Sequence, residues 1–558
     1  MAARSGGEIL AAALVAQGAA HLFGVPGESY LPVLDALVDV GDRLRFVTCR
    51  QEGGAAFMAE ASGKLTGRPG VAIVTRGPGA TNAAIGVHVA AQDSTPMVLL
   101  VGQVGTGMVD REAFQEIDYR RMFGVIAKWV AQVDRAERLP EYVARAWSVA
   151  MAGRPGPVVL ALPEDVLAAR AVVADPARVD PAGAAACAGD VGSVVDRLAL
   201  AHAPLVLVGG SRWNASACDA LVRFAERWAL PVACAFRSQD LFDHRRENYA
   251  GDVGIGINPA LAKRVRDADL LIVIGERLGE MTTSGYTLLD VPSPRQALVH
   301  VHPGAEELGR VYRPAIGICA TPGAFLDAIN AVPAPAEPPA WQGSPAAAHA
   351  EYEAWRAPRP VPGDVDLWRI VRWLDERLPD DAILANGAGN YATWLHRLFR
   401  HRRFGTQLAP YAGAMGYGVP AAIAAKLLRP DSPVISWNGD GCFQMNGQEL
   451  ATAAQLGLAI VFVVIDNAMY GTIRMHQERR YPGRISGTSL VNPDFAALAR
   501  AYGASGETIE ATDAFVPAFE RALARRGPSL LHVKLDPQAI TMNASLDALR
   551  ATGRRAPH

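Results

Sequence analysis

Short apolar runs alternate with Ala-rich stretches of helical period along almost the whole chain: Val71–Val74, Met97–Val101, Val158–Leu162, Leu205–Val208, Leu270–Ile274, Val434–Trp437, Ile460–Ile465 and Leu530–Val533. Such alternation points to an α/β fold built on parallel sheets. Two stretches break it, Ala171–Gly189 and the Pro- and Ala-dense Val332–Asp364. Both read as linkers, because Pro-rich segments stay extended and bury little. Cutting there divides the 558 residues into three doubly wound parallel-sheet units, 1–170, 190–332 and 365–558, each of ordinary domain size.

Half of the residues are apolar, and 54 basic side chains face 56 acidic ones for a net charge of −2. That balance removes the usual reason to expect nucleic acid or an anionic membrane as a partner. The six cysteines (Cys49, Cys187, Cys218, Cys234, Cys319, Cys442) show no C-x-x-C spacing. Neither a disulfide framework nor a zinc site is expected, and a reducing compartment fits. The longest uninterrupted apolar run, Leu458–Ile465, is far short of the ~20 residues that span a bilayer. Glu8 and Gln17 make Ile9–Ala20 an amphipathic helix entering a Gly-Pro turn rather than a signal peptide, so a cytoplasmic location is expected.

The sharpest motif lies in the third unit: VISWNGDGCFQMNGQELATAAQLGLAIVFVVIDNAMYG. A strand ends at Trp437, a Gly-Asp-Gly turn follows, a helical stretch runs through Glu449–Gln455, and a second buried strand ends at Ile465 before Asp466-Asn467. The crossover Cys442–Leu458 is long enough to join parallel neighbours. Asp440 and Asn467 therefore come to the carboxyl ends of adjacent strands, where open α/β sheets bind ligands. The Asp440 carboxylate, the Asn467 amide oxygen and a backbone carbonyl such as that of Met469 make an all-oxygen set of the kind Mg²⁺ takes together with phosphate oxygens. Gly439 and Gly441 allow close backbone approach, and the amides opening the next helix can hold phosphate.

This arrangement resembles the motif of thiamine diphosphate-dependent enzymes, which runs from GDG to a paired Asn-Asn about thirty residues on; here Asp466 replaces the first Asn and Asn467 is retained. The three units are similar in order and length to that family's pyrimidine-binding, central and diphosphate-binding domains. The resemblance implies thiamine diphosphate with Mg²⁺ on Asp440, Asn467 and Met469, and cofactor contacts from Gly439, Asp440, Gly441, Cys442, Asn467, Tyr470 and Gly471. In VTCRQEGGAAFMAEASGK, Glu52 starts a small-residue helix. By itself it reads as an acid stabilised by the helix dipole. By the resemblance it is the glutamate that relays a proton at the pyrimidine N1′, general acid–base catalysis worth roughly 10²–10⁴ in rate. The stretch GTQLAPYAGAMGYGVPAAIAAK is similar to the segment that bends the cofactor. That implies the Gly413 carbonyl on the 4′-amino group and Met415 between the rings, where a flexible thioether packs well.

Within the family the chain looks most like the acetolactate synthase group. The matching segments are HLFGVPGESYLPVLDAL, VTRGPGATNAAIGVHVAAQDSTPMVLLVGQV and AFQEIDYRRMFGVIAKWV, with Phe114-Gln115-Glu116 and Lys128 at the positions of that group's F-Q-E and lysine. No adjacent His-His pair, as simple pyruvate decarboxylases have, stands near position 113. The implied activity is carboligation: a 2-oxo acid is decarboxylated and the resulting carbanion is added to a second carbonyl. A decarboxylase, C–C lyase or hydrolase acting on a non-pyruvate substrate is the alternative. Gln115 either hydrogen-bonds the reacting species or makes structural hydrogen bonds only.

Glu28-Ser29 replace the small residues usual after Pro-Gly. An unpaired buried carboxylate is costly, so Glu28 is expected to be salt-bridged or to act as an acid/base group of a modified pocket. His476 stands where biosynthetic enzymes carry Trp, which implies a polar acceptor pocket. GERLGEMTTSGYTL, after Leu270–Ile274, lies where acetohydroxyacid synthases bind FAD. Relatives there bind FAD, ADP or nothing, and no G-x-G-x-x-G follows the strand, so FAD stays open. The resemblance also implies a homodimer or homotetramer, with Glu52 of one subunit meeting the diphosphate unit of another.

Overall fold

The structure is a computed structural model that describes residues 2–333 and 337–553. The expected apolar runs are strands of three parallel six-stranded sheets. The first sheet has the order Arg45–Thr48, His21–Gly24, Gly70–Val74, Met97–Gln103, Pro157–Pro163, Trp129–Gln132. The third has the order Gln407–Leu408, Ile383–Asn386, Val434–Gly439, Val461–Asp466, Ser529–Lys534, Ser505–Ile509. Counted along the chain, both orders read 2-1-3-4-6-5. The central sheet runs Tyr249–Asp252, Val232–Cys234, Pro204–Val208, Leu270–Ile274, Ala297–His302, Ile316–Cys319, which is 3-2-1-4-5-6.

Alternate residues of one strand enter different cores, which is what double winding requires. In the first sheet Val71 and Ile73 face helix Gly6–Ala16, while Ala72 and Val74 join helices Glu52–Thr66 and Pro78–Asp93. In the third, Val463 and Ile465 lie in one core and Phe462 and Val464 in another. That second core is continuous with the first unit's, because helix Glu52–Thr66 packs on helix Gly418–Leu428. The first and third units thus share apolar interior, and the central unit keeps its own.

Two expectations change. The N-terminal helix lies nearer the N-terminus, Gly6–Ala16, started by a capping box between Ser5 and Glu8 and ended at Gln17 before Gly18 at φ +83°. The stretch Val332–Asp364, read as a linker that buries little, contains helix Ser344–Trp355 with Ala348 and Tyr352 buried, while residues 334–336 lie outside the described residues. Pro345 sits in that helix's first turn, where its missing N–H costs nothing, and the Ala run propagates it. Trp341 is buried as well, its Nε1 donating to Trp228 O at 3.0 Å. Among the described residues no helix is long and apolar enough to cross a membrane.

Candidate active site

Strand Val434–Gly439 runs two residues past the expected end and pairs in parallel with Val461–Asp466, Gly439 opposite Ile465. Asp440 and Asn467 therefore leave neighbouring strand ends side by side. Asp440 opens helix Asp440–Asn446, its Oδ1 accepting from the Gly441 N–H at 2.8 Å and its Oδ2 from Asn492 Nδ2 at 2.8 Å. Asn492 Nδ2 also donates to Asp466 Oδ1 at 2.7 Å, so one amide nitrogen spans both carboxylates. Asp466 Oδ2 accepts from His532 Nε2 at 2.8 Å and Lys534 Nζ at 2.7 Å.

Burial pushes the Asp440 carboxyl up to about 6, against its two hydrogen bonds. Burial acts the same way on Asp466, but His532, Lys534, Asn492 and the Ala468 N–H outweigh it and hold that carboxyl well below the usual range. The aspartate that departs from the Asn-Asn pattern is thus compensated by donors of its own. Asn492, His532 and Lys534 are functional neighbours that the sequence did not single out.

A cavity of about 260 Å³ opens in front of these strand ends. Its wall includes Gly413, Met415, Gly439, Asp440, Gly441, Cys442, Asn467, Met469, Tyr470 and Gly471, so the third-unit residues expected to hold the cofactor are brought together. The fit to a diphosphate and a hard cation can be tested on the backbone. A Cβ at Gly439 would sit 2.6 Å from the Tyr391 ring, and one at Gly441 2.6 Å from the Tyr470 ring. Neither position has room for a side chain beside these cavity-lining rings. Among the described residues no group of three or more His, Cys, Asp or Glu side chains could hold a metal. The donors at Asp440, Asn467 and the Met469 carbonyl are oxygens with one carboxylate, the kind of set Mg²⁺ takes beside phosphate. The residues fit the group.

Gly413, at φ +70°, and Met415 belong to the segment 409–417, which all three units grip. From the first unit, Asp93 accepts from the N–H groups of Tyr411 (2.8 Å) and Ala412 (2.9 Å), and Lys64 Nζ donates to Ala409 O (3.1 Å). Lys64 also pairs with Asp93 at 2.6 Å and with Glu60 at 3.2 Å, and Glu60 accepts from Tyr417 Oη at 2.5 Å. Burial lowers the Lys64 amine, but Asp93 and Glu60 outweigh it and the net direction is upward. From the central unit, Arg237 donates to Pro410 O and Gly387 O, and Glu276 Oε1 accepts from Tyr411 Oη at 3.0 Å.

The first-unit candidates form a separate group. Every residue lining the Asp440 cavity lies between 388 and 540. Glu52 opens helix Glu52–Thr66 and accepts from Asn82 Nδ2 at 2.9 Å. Gln115 has φ +66° and packs so closely on Gly77, itself at φ +60°, that a Cβ there would be 2.8 Å from the Gln115 Cβ. Ser29 is buried, its Oγ 2.9 Å from Thr75 Oγ1. Glu28 is 69% exposed, 3.8 Å from Arg76, which also bonds Glu164 at 3.0 Å. The carboxylate is therefore not buried within the chain, and of the two expectations the ion pair is the geometry present. Lys128 donates to the Ala152 and Arg154 carbonyls. His476 is exposed on helix Gly471–Arg480 and lines neither this cavity nor the larger one, whereas Met475 and Arg479 line the latter. That larger cavity, about 770 Å³, lies between the central and third units with His88 and Gln92 of the first at its wall, and holds Arg237, Arg277, Arg310 and Arg397.

Three family models match the chain: the thiamine pyrophosphate enzyme N-terminal TPP binding domain over residues 4–122, its central domain over 191–329 and its C-terminal TPP binding domain over 387–533. The chain belongs to the thiamine pyrophosphate enzyme family. Among its relatives is the acetolactate synthase isozyme 2 large subunit of Escherichia coli (strain K12), 32% identical over 95% of this chain and 96% of that one. The acetolactate synthase large subunit of Corynebacterium glutamicum is 32% identical over 90% and 82%, and the probable acetolactate synthase large subunit of Methanocaldococcus jannaschii 31% over 95% and 92%.

Proposed function

We propose that the protein is a thiamine diphosphate-dependent carboligase of the acetolactate synthase type. The observation that carries this reading is the cavity that Asp440 and Asn467 line together with Gly439 and Gly441, in a chain whose relatives named acetolactate synthase match it almost end to end. Bound there, thiamine diphosphate supplies a thiazolium electron sink for decarboxylating a 2-oxo acid and joining the remainder to a second carbonyl. Asp440, Asn467 and the Met469 carbonyl hold Mg²⁺, and the amides opening helix Asp440–Asn446 hold phosphate oxygens. The Gly413 carbonyl and Met415 fix the ring end, Glu52 holds and moves the proton at N1′, and Gln115 orients substrate.

Glu52 and Gln115 lie apart from the Asp440 cavity, so we assign the working unit to a homodimer or homotetramer in which one chain's first unit closes another's cleft. Phe114, 73% exposed beside Gln115, and Ile473, 54% exposed on helix Gly471–Arg480, support that reading. The units are taken as 1–170, 190–332 and 365–558, in the cytoplasm. The 770 Å³ cavity has ordinary ligand size, and its guanidinium groups suit the phosphates of FAD. Flavin fluorescence on adding FAD tests this.

The deciding experiment incubates the protein, Mg²⁺ and thiamine diphosphate with pyruvate and other 2-oxo acids, with products identified by mass spectrometry. Coupled hydroxy-oxo acids are expected. Aldehyde and CO₂ alone overturn carboligation in favour of a decarboxylase or lyase. An active monomer in light scattering overturns the shared site.

A further inference from the structure

Glu449 is a buried carboxylate that the metal cradle does not use. It has no exposed surface and ends the 3-10 turn Gly447–Glu449, which continues the short helix opened by Asp440. One of its oxygens faces the first unit and the other stays within the third. Oε1 accepts from the backbone N–H of Arg50 at 2.9 Å and of Gln51 at 3.0 Å, and Oε2 accepts from Thr452 Oγ1 at 2.6 Å. All three partners are donors, which matches an ionised, acceptor-only carboxylate. Arg50 and Gln51 are the two residues before Glu52, and a negative charge there complements the start of helix Glu52–Thr66. Gly54 lets the carboxylate approach, since a Cβ at that position would lie 2.7 Å from Glu449 Oε1. The Arg50 guanidinium adds a second tether to the same region, donating to Gln455 Oε1 at 2.7 Å.

We infer that Glu449 is a positioning residue for Glu52: by fixing the Arg50–Gln51 turn it aims the acid that opens the helix. The inference rests on reading Glu52 as the proton-relay acid. It joins two parts of the machinery through one short connection, because Asp440 begins and Glu449 ends the same helix-and-turn segment. In the assembled enzyme, a chain's metal-binding segment then sets the acid that serves its neighbour's cleft.

The test compares Glu449→Ala, Glu449→Gln, Glu52→Gln and the double variant Glu52→Gln/Glu449→Ala in the full-length enzyme with Mg²⁺ and thiamine diphosphate. Misplacing a catalytic group by about 1 Å can cost roughly 10²-fold, so Glu449→Ala is expected to turn over about 10–100-fold more slowly, with cofactor affinity by calorimetry changed by less than about twofold. Glu449→Gln keeps an oxygen for both amides and restores most of the rate. In the Glu52→Gln background, Glu449→Ala is expected to cost nothing further, since residues acting through one another are not additive. Amide hydrogen exchange of the segment 48–57, measured without added cofactor, speeds up in Glu449→Ala and not in Glu449→Gln.

Should Glu449→Ala not fold, Thr452→Val, which removes the hydroxyl orienting Oε2, carries the same comparison with an expected loss of about threefold. Additive slowing in the double variant, or unchanged exchange at 48–57, overturns the inference while Glu52→Gln remains slow. A native rate in Glu52→Gln overturns the proton-relay reading itself, and this inference with it.

Discussion

In the first unit the chain passes from its second strand, Arg45–Thr48, into helix Glu52–Thr66 after only Cys49, Arg50 and Gln51; in the third it passes from Gln407–Leu408 through the whole segment 409–417 before helix Gly418–Leu428. The strand order is the same and the two helices pack on each other. The short connection presents a side-chain carboxylate, and the long one presents a backbone carbonyl at Gly413 and the Met415 thioether. The space at the carboxyl ends of the strands differs as well. In the first unit it is filled, with Ser29 bonded to Thr75 and a Cβ at Gly102 only 2.1 Å from Ser29 Oγ. In the third it opens into the 260 Å³ cavity. One topology thus has an open version in the third unit and a closed version in the first, although both carry glycine at their strand ends.

The strongest way to break this contrast is to remove the charge from the open end. Asp440→Ala is expected to weaken Mg²⁺-dependent thiamine diphosphate binding by more than the ~10–100-fold that loss of an outer partner costs, with the melting temperature little changed. Unchanged affinity by calorimetry would place the metal elsewhere. The complementary change at the closed end, Glu52→Gln, is expected to leave affinity near native and slow exchange of the cofactor C2 proton by about 10²-fold. A native exchange rate by NMR would leave Glu52 as a helix-start residue only.

Asn492→Ala sharpens the comparison further, because it removes the nitrogen shared by Asp440 and Asp466 without touching a ligand atom. An outer partner of this kind is expected to cost about tenfold in Mg²⁺ affinity; no change would make the contact incidental. The smallest effect is expected at His476, which is exposed and lines neither cavity. His476→Trp should shift the product ratio between pyruvate and 2-oxobutyrate as acceptors by less than the ~10–200-fold that one methylene is worth against an apolar wall. The unsubstituted protein should itself show little preference. A strong excess of the longer product in a competition assay contradicts both statements.

Much of the cofactor cleft is legible in sequence because its parts are local. The Gly-Asp-Gly turn, the crossover helix and Asn467 lie on one short β-α-β unit, and their meeting follows from chain geometry alone. Asn492, His532, Lys534 and Glu449 carry no such mark: each acts on a partner brought in by the sheet or by another unit, and Glu449 reaches Arg50 across 399 residues. Helix Ser344–Trp355 was hidden for a different reason. Its Pro and Ala content matches a linker, and only Pro345, Ala348 and Tyr352, at spacings of three and four, betray a buried face. The separation of Glu52 from Asp440 is a property of packing between units, which no local pattern encodes.

The Glu60–Lys64–Asp93 cluster also bears on how the chain is made. Its hydrogen bonds are completed by Ala409, Tyr411, Ala412 and Tyr417, so the first unit cannot satisfy its own interior when it leaves the ribosome. At about 5–20 residues per second, synthesis needs roughly 15–60 s to travel from Asp93 to Ala412. Throughout that interval the nascent N-terminal third carries charged groups designed for burial beneath a segment not yet synthesised. A fragment ending at the first linker inherits the same deficit permanently, and any chimaera that exchanges the C-terminal third must bring a segment able to meet those three charges.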